Sequence, residues 1–426
     1  MDESPPTGLP PVSDASPRRI FGRFLRFGLL AWGGPVAQIA MLRRELVDEE
    51  RWLDGGRFNR LLAIFQVLPG PEAHELAVHL GFLRGRRIGG LLAGLGFMLP
   101  GFVLMLALSW LYFQVDLTQA AIGAALLGAQ IAVIALVLRA TERIGRHIVV
   151  TPLLAMLAAG AALATLAGVA FPIVLGVAGF VHVAADRVSP RVGEALGAVA
   201  LVAGVVVLAS AIASQVPLGG IGSLGAGALG PGGMGAGGPA IAVEPSIVDL
   251  FLSGLLAGLL TFGGAYTAIP FIRSDAVGSG WLTDAQFLDG LALSGILPAP
   301  LIIFGTFVGY VGGGLAGAVA MTAGIFLPAF SFSLLLGDRI EAVASHRTPR
   351  RLLEGVAGGV VGLIAVTAFE LALAVAGRAP ALVPAGVIFL AALGLFVAWR
   401  SRAAVPLGIA ASALAGWVLF GGVAPR

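Results

Sequence analysis

The sequence predicts an all-α polytopic membrane protein, with about thirteen transmembrane segments arranged as two inverted-topology repeats that contain broken helices. Three observations carry this prediction. Hydrophobic residues make up 58% of the 426 and charged residues only 12%, about half the charged share of a soluble domain. Apolar runs long enough to span a hydrocarbon layer of roughly 30 Å recur along the whole chain. Stretches of the first half reappear, in order, in the second. One soluble core could not hide this much apolar surface, because cores stop growing beyond roughly 250–300 residues.

The runs occupy 21–41, 60–82, 88–112, 118–139, 149–168, 170–185, 193–214, 249–271, 287–311, 314–336, 354–376, 381–398 and 404–421. Only a short turn near Phe171-Pro172 separates the fifth from the sixth. Residues 1–20 read as a polar, proline-rich cytoplasmic tail, and Arg18, Arg19, Arg23 and Arg26 as the flank of a first span, not as a twin-arginine export signal. The glycine-rich stretch 216–246 is uncharged until Glu244 and reads as a linker. Together with the span 193–214 it forms a linking region, 193–248, between a first repeat at 21–192 and a second at 249–426. With the N-terminus in the cytoplasm, 19 of the 26 arginines fall on inside segments, as the positive-inside rule expects. The exception is 42–60, placed outside, whose five arginines sit among Glu45, Asp48, Glu49, Glu50 and Asp54. The expected location is the inner (cytoplasmic) membrane.

"GLLAWGGPVAQIAMLRRELV" (28–47) parallels "GLLTFGGAYTAIPFIRSDAV" (258–277), so that Gly33-Gly34 match Gly263-Gly264, and Arg43 and Glu45 match Arg273 and Asp275. Trp52 aligns with Trp281, "VLPGP" (67–71) with "ILPAP" (296–300), and "GFMLP" (96–100) with "GIFLP" (324–328). The first segment and its counterpart are seven segments apart. An odd separation sets the repeats in opposite orientations, an arrangement found in secondary transporters that bind substrate near the midplane.

Irregular backbone survives inside a membrane only where protein or trapped water receives its polar groups. Pro69-Gly70-Pro71 breaks the second segment, and Pro298-Ala299-Pro300 repeats the break. Gly33-Gly34-Pro35 and Gly263-Gly264 break the first segment of each repeat. A helix restarting after such a break aims its free amides and positive dipole end into the gap, where an anion can bind. Glu72, His74 and Glu75 fall in the first turns after Pro71, and Glu72, Glu75 and His79 share one helix face. Two ionised carboxylates repel a dianion, so this stripe suits coupling or gating better than capture. Arg43 and Arg84 are the candidate cations. Glu370 is a second intramembrane acid, and His182 reads as structural.

Several function classes are excluded. The chain has no cysteine, which removes disulfides and thiolate chemistry. "HELAVH" spaces its histidines five apart, whereas the zinc-protease motif needs four. No phosphate-binding loop or nucleophile elbow occurs, and the basic balance comes from loop arginines, so nucleic-acid binding is not expected. No cofactor and no metal are expected, and a homodimer is left open. An intramembrane hydrolase using Glu72, His74 and Glu75, or a purely structural subunit, are the readings from other classes.

The motifs "FGLLAWGGPVAQIAMLRRELV", "RWLDGGRF", "QVLPGPEAHELAVHLGFLRGRRIGGLLAGLGFMLPG" and, in the second half, "TFGGAYTAIPFIRSDAV", "GWLT", "LPAP" and "GIFLP" resemble the chromate transporter family in its long two-domain form. Ala299 stands where that family often has glycine, and "PGPEAHEL" replaces its common "PGPNSTQL". The resemblance implies export of chromate from the cytoplasm, resistance to chromate, and competition by sulfate, another tetrahedral dianion. The expected partners are therefore chromate, sulfate and the lipid bilayer.

Overall fold

The computed structural model describes residues 16–66, 68–115, 119–188, 190–215, 244–262, 264–340, 347–399 and 401–421. Most of the tail and linker proposed above, and Gly263, lie outside the described residues. The described residues form α-helices with short π and 3-10 turns and contain no strand. In chain order the helices are α1 (Pro17–Leu29), α2 (Gly34–Arg43), α3 (Gly55–Phe65), α4 (Glu72–Tyr112), α5 (Ala120–Ile148), α6 (Pro152–Leu166), α7 (Phe171–Val188) and α8 (Pro190–Gln215). They continue as α9 (Ile247–Leu259), α10 (Ile269–Ala276), α11 (Asp284–Gly295), α12 (Phe304–Ser331), α13 (Arg347–Arg378), α14 (Leu382–Ala398) and α15 (Ala404–Phe420). Five helical stretches are long and apolar enough to cross a membrane: 72–112, 120–148, 192–211, 301–339 and 349–378. α6, α9, α14 and α15 are apolar but shorter.

Four of the thirteen predicted segments fold as helical hairpins and not as single rods. Between α1 and α2 the chain turns at Gly33-Gly34, both at positive φ, and returns to the start of α1. Arg23 pairs with Glu45 at 3.2 Å and also with Glu50, and Arg26 pairs with Glu45 at 3.3 Å. The arm α3 runs in from Asp54, and the first arm of α4 (72–84) returns, so that the Arg84 guanidinium stacks on Trp52 at 4.8 Å. The second repeat builds both hairpins again. Asp275 of α10 comes back beside Ser253 of α9, and a Cβ on Gly290 of α11 would meet the Phe307 ring of α12 at 2.5 Å.

The capping residues explain where these arms start. α1, α3, α9 and α11 begin on a side-chain cap, respectively Ser16, Asp54, Ser246 and Thr283, and the last two complete capping boxes. The amide of Arg57 holds the exposed Asp54 carboxyl below its ordinary range. The returning arms α2, α4, α10 and α12 have no side-chain cap. Capped starts lie at the aqueous faces, and uncapped starts lie inside.

After each second hairpin the chain reverses sharply. Gly85 (φ −132°) and Arg86 (φ 53°) split α4, and Gly313 (φ −159°) and Gly314 (φ 58°) split α12 at the matching place. Past the reversal, Gly89 packs back on Gly81, and Gly317 on Gly309. The later arms (87–112 and 315–331) are through-going. They face each other across the repeats in a steady antiparallel register: Gly94 meets Phe330, Gly90 meets Leu334, and Arg86 meets Asp338 at 2.8 Å. The two repeats therefore run in opposite senses.

This register defines two faces. The proximal face carries residues 16–26, 44–54, 84–88 and 338. The distal face carries 112–115, 245–250 and 312–314, where Phe113 stacks near Tyr310 and Ile247 lies against Gly313. The hairpins of the first repeat enter from the proximal face and those of the second from the distal face. The arginine-rich stretch 42–60 joins Arg18–Arg26 and Arg84–Arg87 on one face, which removes the exception in the arginine count. Glu370, read above as a second intramembrane acid, is bonded to Arg273, which also holds Asp284 at 2.9 Å. His182 lies 3.5 Å from Glu354.

Glycine brings the hairpins against the through-going arms. A Cβ on Gly28 would lie 2.5 Å from the Phe97 carbonyl oxygen, and one on Gly258 would lie 2.3 Å from that of Ile325. Replacing Gly28 by alanine should lower stability in detergent by about 1–3 kcal/mol, the usual cost of overpacking. Gly386→Ala, with nothing within 4 Å of the new methyl, should leave thermal unfolding unchanged. Single cysteines at Arg18, Asp48 and Arg87 should label from one side of sealed vesicles, and one at Ser279 from the other. Ser279→Cys labelling from the side of Arg18→Cys, with Asp48→Cys alone on the other, would restore the straight-rod topology.

Candidate functional site

The four hairpin tips reach the interior from both faces. At the first, Gln38 of α2 donates to the Ala31 carbonyl at 2.9 Å and closes the turn around Gly33, Gly34 and Pro35. At the third, Thr267 does the same work. Its hydroxyl accepts from the Phe262 amide at 3.0 Å and donates to the Gly264 carbonyl at 2.8 Å. The second tip is Pro69-Gly70-Pro71 and the fourth Pro298-Ala299-Pro300, all six residues buried.

Tips of opposite repeats touch. The Gly70 amide donates to the Thr261 carbonyl at 2.8 Å, which ties the second tip to the third. Gly70 has φ 145°, and its Cα lies against the Glu75 carboxylate. Ala299 of the fourth tip packs on Gly101 of α4. The first tip lies apart from this junction. Gly33 abuts Arg402, in the connection between α14 and α15.

Helix α4 restarts at Glu72, with the Pro71 carbonyl accepting from the amides of His74 (2.8 Å) and Glu75 (3.0 Å). Glu72, His74, Glu75 and His79 are all buried. Neither carboxylate oxygen of Glu75 and neither ring nitrogen of His74 has a hydrogen-bond partner among the described residues. His74 is enclosed by aromatic rings of both repeats: Phe97 at 6.1 Å, Phe326 at 4.7 Å and Phe330 at 5.0 Å. His79 sits between Phe65 and Phe82.

The predicted cations are not at the tips. Arg43 is exposed near Asn59, and Arg84 covers Trp52 at the proximal face. Both end returning arms, so the same hairpin geometry that buries the tips carries them outward. Two arginines of α5, the half-buried Arg139 and the exposed Arg143, act on tip residues through their charge. Arg143 of α5 is close enough for its charge to act on both Glu72 and the buried Tyr266 hydroxyl, and Arg139 also acts on Tyr266. No carboxylate lies within ion-pair distance of Arg143 among the described residues. In the sequence they stand out only as two of the 19 arginines on inside segments. Their i, i+4 spacing on one helix face was the available signal. Asp289, a buried acid within an apolar run, was also passed over.

This arrangement offers guanidinium charge, uncapped helix starts and hydroxyls to an anion. Among the described residues no group of three His, Asp or Glu side chains could hold a metal. The chromate transporter family model matches residues 18–185 and again 248–417. The chain belongs to the chromate transporter family. That family is one of transporters, not enzymes. The chain is 54% identical over 405 residues to a chromate transport protein of Pseudomonas aeruginosa, covering 94% of this chain and 92% of that protein. It is 27% identical over 356 residues to a chromate transport protein of Cupriavidus metallidurans, covering 82% and 80%. An uncharacterised transporter of Methanocaldococcus jannaschii is 28% identical over 382 residues, covering 89% and 90%. No solved structure matches the chain.

The substitution Gly70→Leu should abolish transport while leaving the protein in the membrane, because a Cβ there would lie 2.5 Å from Glu75 Oε1 and φ favours glycine. Full activity in a flux assay would remove the second tip from the transport path.

Proposed function

We propose that this chain exports chromate across the inner membrane and so confers chromate resistance, with sulfate as a competing dianion. The observation that carries the reading is the junction of the second and third tips at Gly70 and Thr261, with the Arg143 charge acting on Glu72 and Tyr266. A family relationship to proteins named for chromate transport supports the substrate. On this reading residues 21–192 and 249–426 are the two repeats and 193–248 links them. The arginine-rich proximal face is cytoplasmic, so the N-terminus is inside.

Direction follows from charge. An inside-negative potential drives a dianion outward by about 4.6 kcal/mol per 100 mV, twice the single-charge value. Export then needs little further energy, whereas uptake would need cotransported cations. The substrate sits between the tips, where Arg139, Arg143 and the Tyr266 hydroxyl neutralise it. Glu72 and Glu75 gate the site, because their ionised forms repel the dianion. The hairpins from the two faces alternate in covering it, as crossed broken helices do in other transporters.

In vesicles, unlabelled sulfate should inhibit labelled chromate flux, and Arg143→Ala should raise the half-saturating chromate concentration at least about tenfold, the equivalent of one charge-assisted contact. Arg43→Ala should leave it unchanged. Equal effects of the two substitutions would place the anion elsewhere, and a preference for sulfate over chromate would make this a sulfate transporter.

A further inference from the structure

Away from the tips, the interior holds a polar cluster that the reading above does not use. Asp289, on the first arm of the fourth hairpin, is 4% exposed. Its Oδ2 accepts from the Tyr112 hydroxyl of α4 at 2.8 Å, and its Oδ1 accepts from Gln130 Nε2 of α5 at 2.6 Å. The Gln130 carbonyl oxygen accepts in turn from Arg378 of α13 at 3.0 Å. Neither group touching the carboxylate is charged. The Arg378 guanidinium, which also donates to the Ala374 carbonyl, acts on the carboxylate through its charge and through the Gln130 amide but makes no direct bond to it, and Arg273 is held by Asp284 and Glu370. From α12 the neighbour is the Phe307 ring, packed on Tyr112 at 5.0 Å. A buried carboxylate without a directly bonded cation is costly to keep ionised.

The two oxygens differ in what they tolerate. Gln130 is fixed, because its oxygen is committed to Arg378 and its nitrogen can only donate. A proton on Oδ1 would break that contact. The Tyr112 hydroxyl can turn from donor to acceptor, so a proton on Oδ2 keeps a hydrogen bond. Tyr112 ends α4 at the distal face, and the next residues, Phe113 and Gln114, are exposed. The buried hydroxyl is therefore carried by a residue whose next neighbours in the chain are exposed at the distal face. The same hairpin touches α4 twice, through Asp289 on Tyr112 and through Ala299 on Gly101. A change in the first contact reaches the tip along a single short helix.

We propose that Asp289 is a proton-binding site loaded from the distal face through Tyr112, and that its occupancy couples inward proton movement to outward oxyanion movement by re-seating the fourth hairpin. This rests on the transport reading. One proton from distal water attaches to Oδ2, turning the carboxylate neutral, and leaves toward the proximal side when the hairpin moves. Asp289 differs from Glu75 in this respect: Glu75 lies at a tip, while Asp289 opens toward one face.

The test uses inside-out vesicles carrying the full chain, with labelled chromate in the bath. With the potential clamped at zero, one pH unit of lumenal acidity should raise the accumulation ratio about tenfold per proton exchanged. Asp289→Asn should lose this response while still accumulating chromate under a lumen-positive potential. Tyr112→Phe keeps the ring packing and removes the hydroxyl, so it should slow the acid-driven component alone, and it decides the matter if Asp289→Asn does not reach the membrane. An undiminished acid response in either variant would overturn the proposal, as would a wild-type protein that responds to potential but not to acid. Wild-type vesicles that accumulate chromate under neither force would overturn the transport reading itself.

Discussion

A chain that turns round inside an apolar layer has to satisfy the backbone groups its turns expose, and this constraint shapes the molecule. An unmet buried amide or carbonyl costs roughly 2–7 kcal/mol. Prolines at 69, 71, 298 and 300 lower the demand by removing donors. Gln38 and Thr267 meet part of the remainder within their own hairpins. The Gly70 amide is met from the other repeat, by Thr261. The second tip is thus not self-sufficient, and its partner comes from the opposite face. The inverted arrangement is in this sense a hydrogen-bonding solution before it is a transport device.

Close packing depends on the same constraint. Hairpins of 8–13-residue arms bury too little to stand alone, so they press on the through-going arms at glycine. Gly28 and Gly96 in one repeat, and Gly258 and Gly324 in the other, let backbones approach where any side chain would intrude. Small residues at such contacts are how helices associate in lipid, where no hydrophobic force drives them together. The similar dihedral angles at 85–86 and 313–314 show how closely the two repeats keep this geometry. Arg86 occupies a left-handed position that the second repeat gives to Gly314, and its bond to Asp338 accompanies that strain.

The repeats, the breaks and the opposite orientation were legible from sequence because each leaves a local mark: paired prolines, paired glycines and a constant offset. Hairpins and spans leave the same mark, since an apolar run of 21–25 residues is long enough for either. What separated them was the charge in 42–60. The positive-inside exception there was a real signal, and the Arg23–Glu45 pairing explains it. The inverted parity survived because each repeat lost two spans, an even number. The cation assignments failed for the same reason: in a straight rod Arg43 and Arg84 lie beyond the break, and in a hairpin they lie back at the face. Arg143 and Asp289 act through contacts between distant helices, and periodicity along one helix carries no information about those.

Symmetric backbone and asymmetric charge have different consequences. If both repeats carried the same polar residues, inward-open and outward-open forms would be related by a two-fold rotation and equal in energy, and the potential alone would set direction. The first repeat has Glu72, His74 and Glu75 just past its second tip, where the second repeat has the apolar stretch Leu301–Phe304. Phe307 stands where the first repeat has His79, and Asp289 where it has Arg60, each at the same distance from its capping residue or reversal. Acid therefore lies on the returning arm of one hairpin and on the outgoing arm of its counterpart. One pair of carboxylates lies just past the second tip, and the single Asp289 carboxylate is bonded to Tyr112 near the distal end of α4. A scaffold built this way responds to a proton differently from its two sides, which an exactly duplicated one could not do.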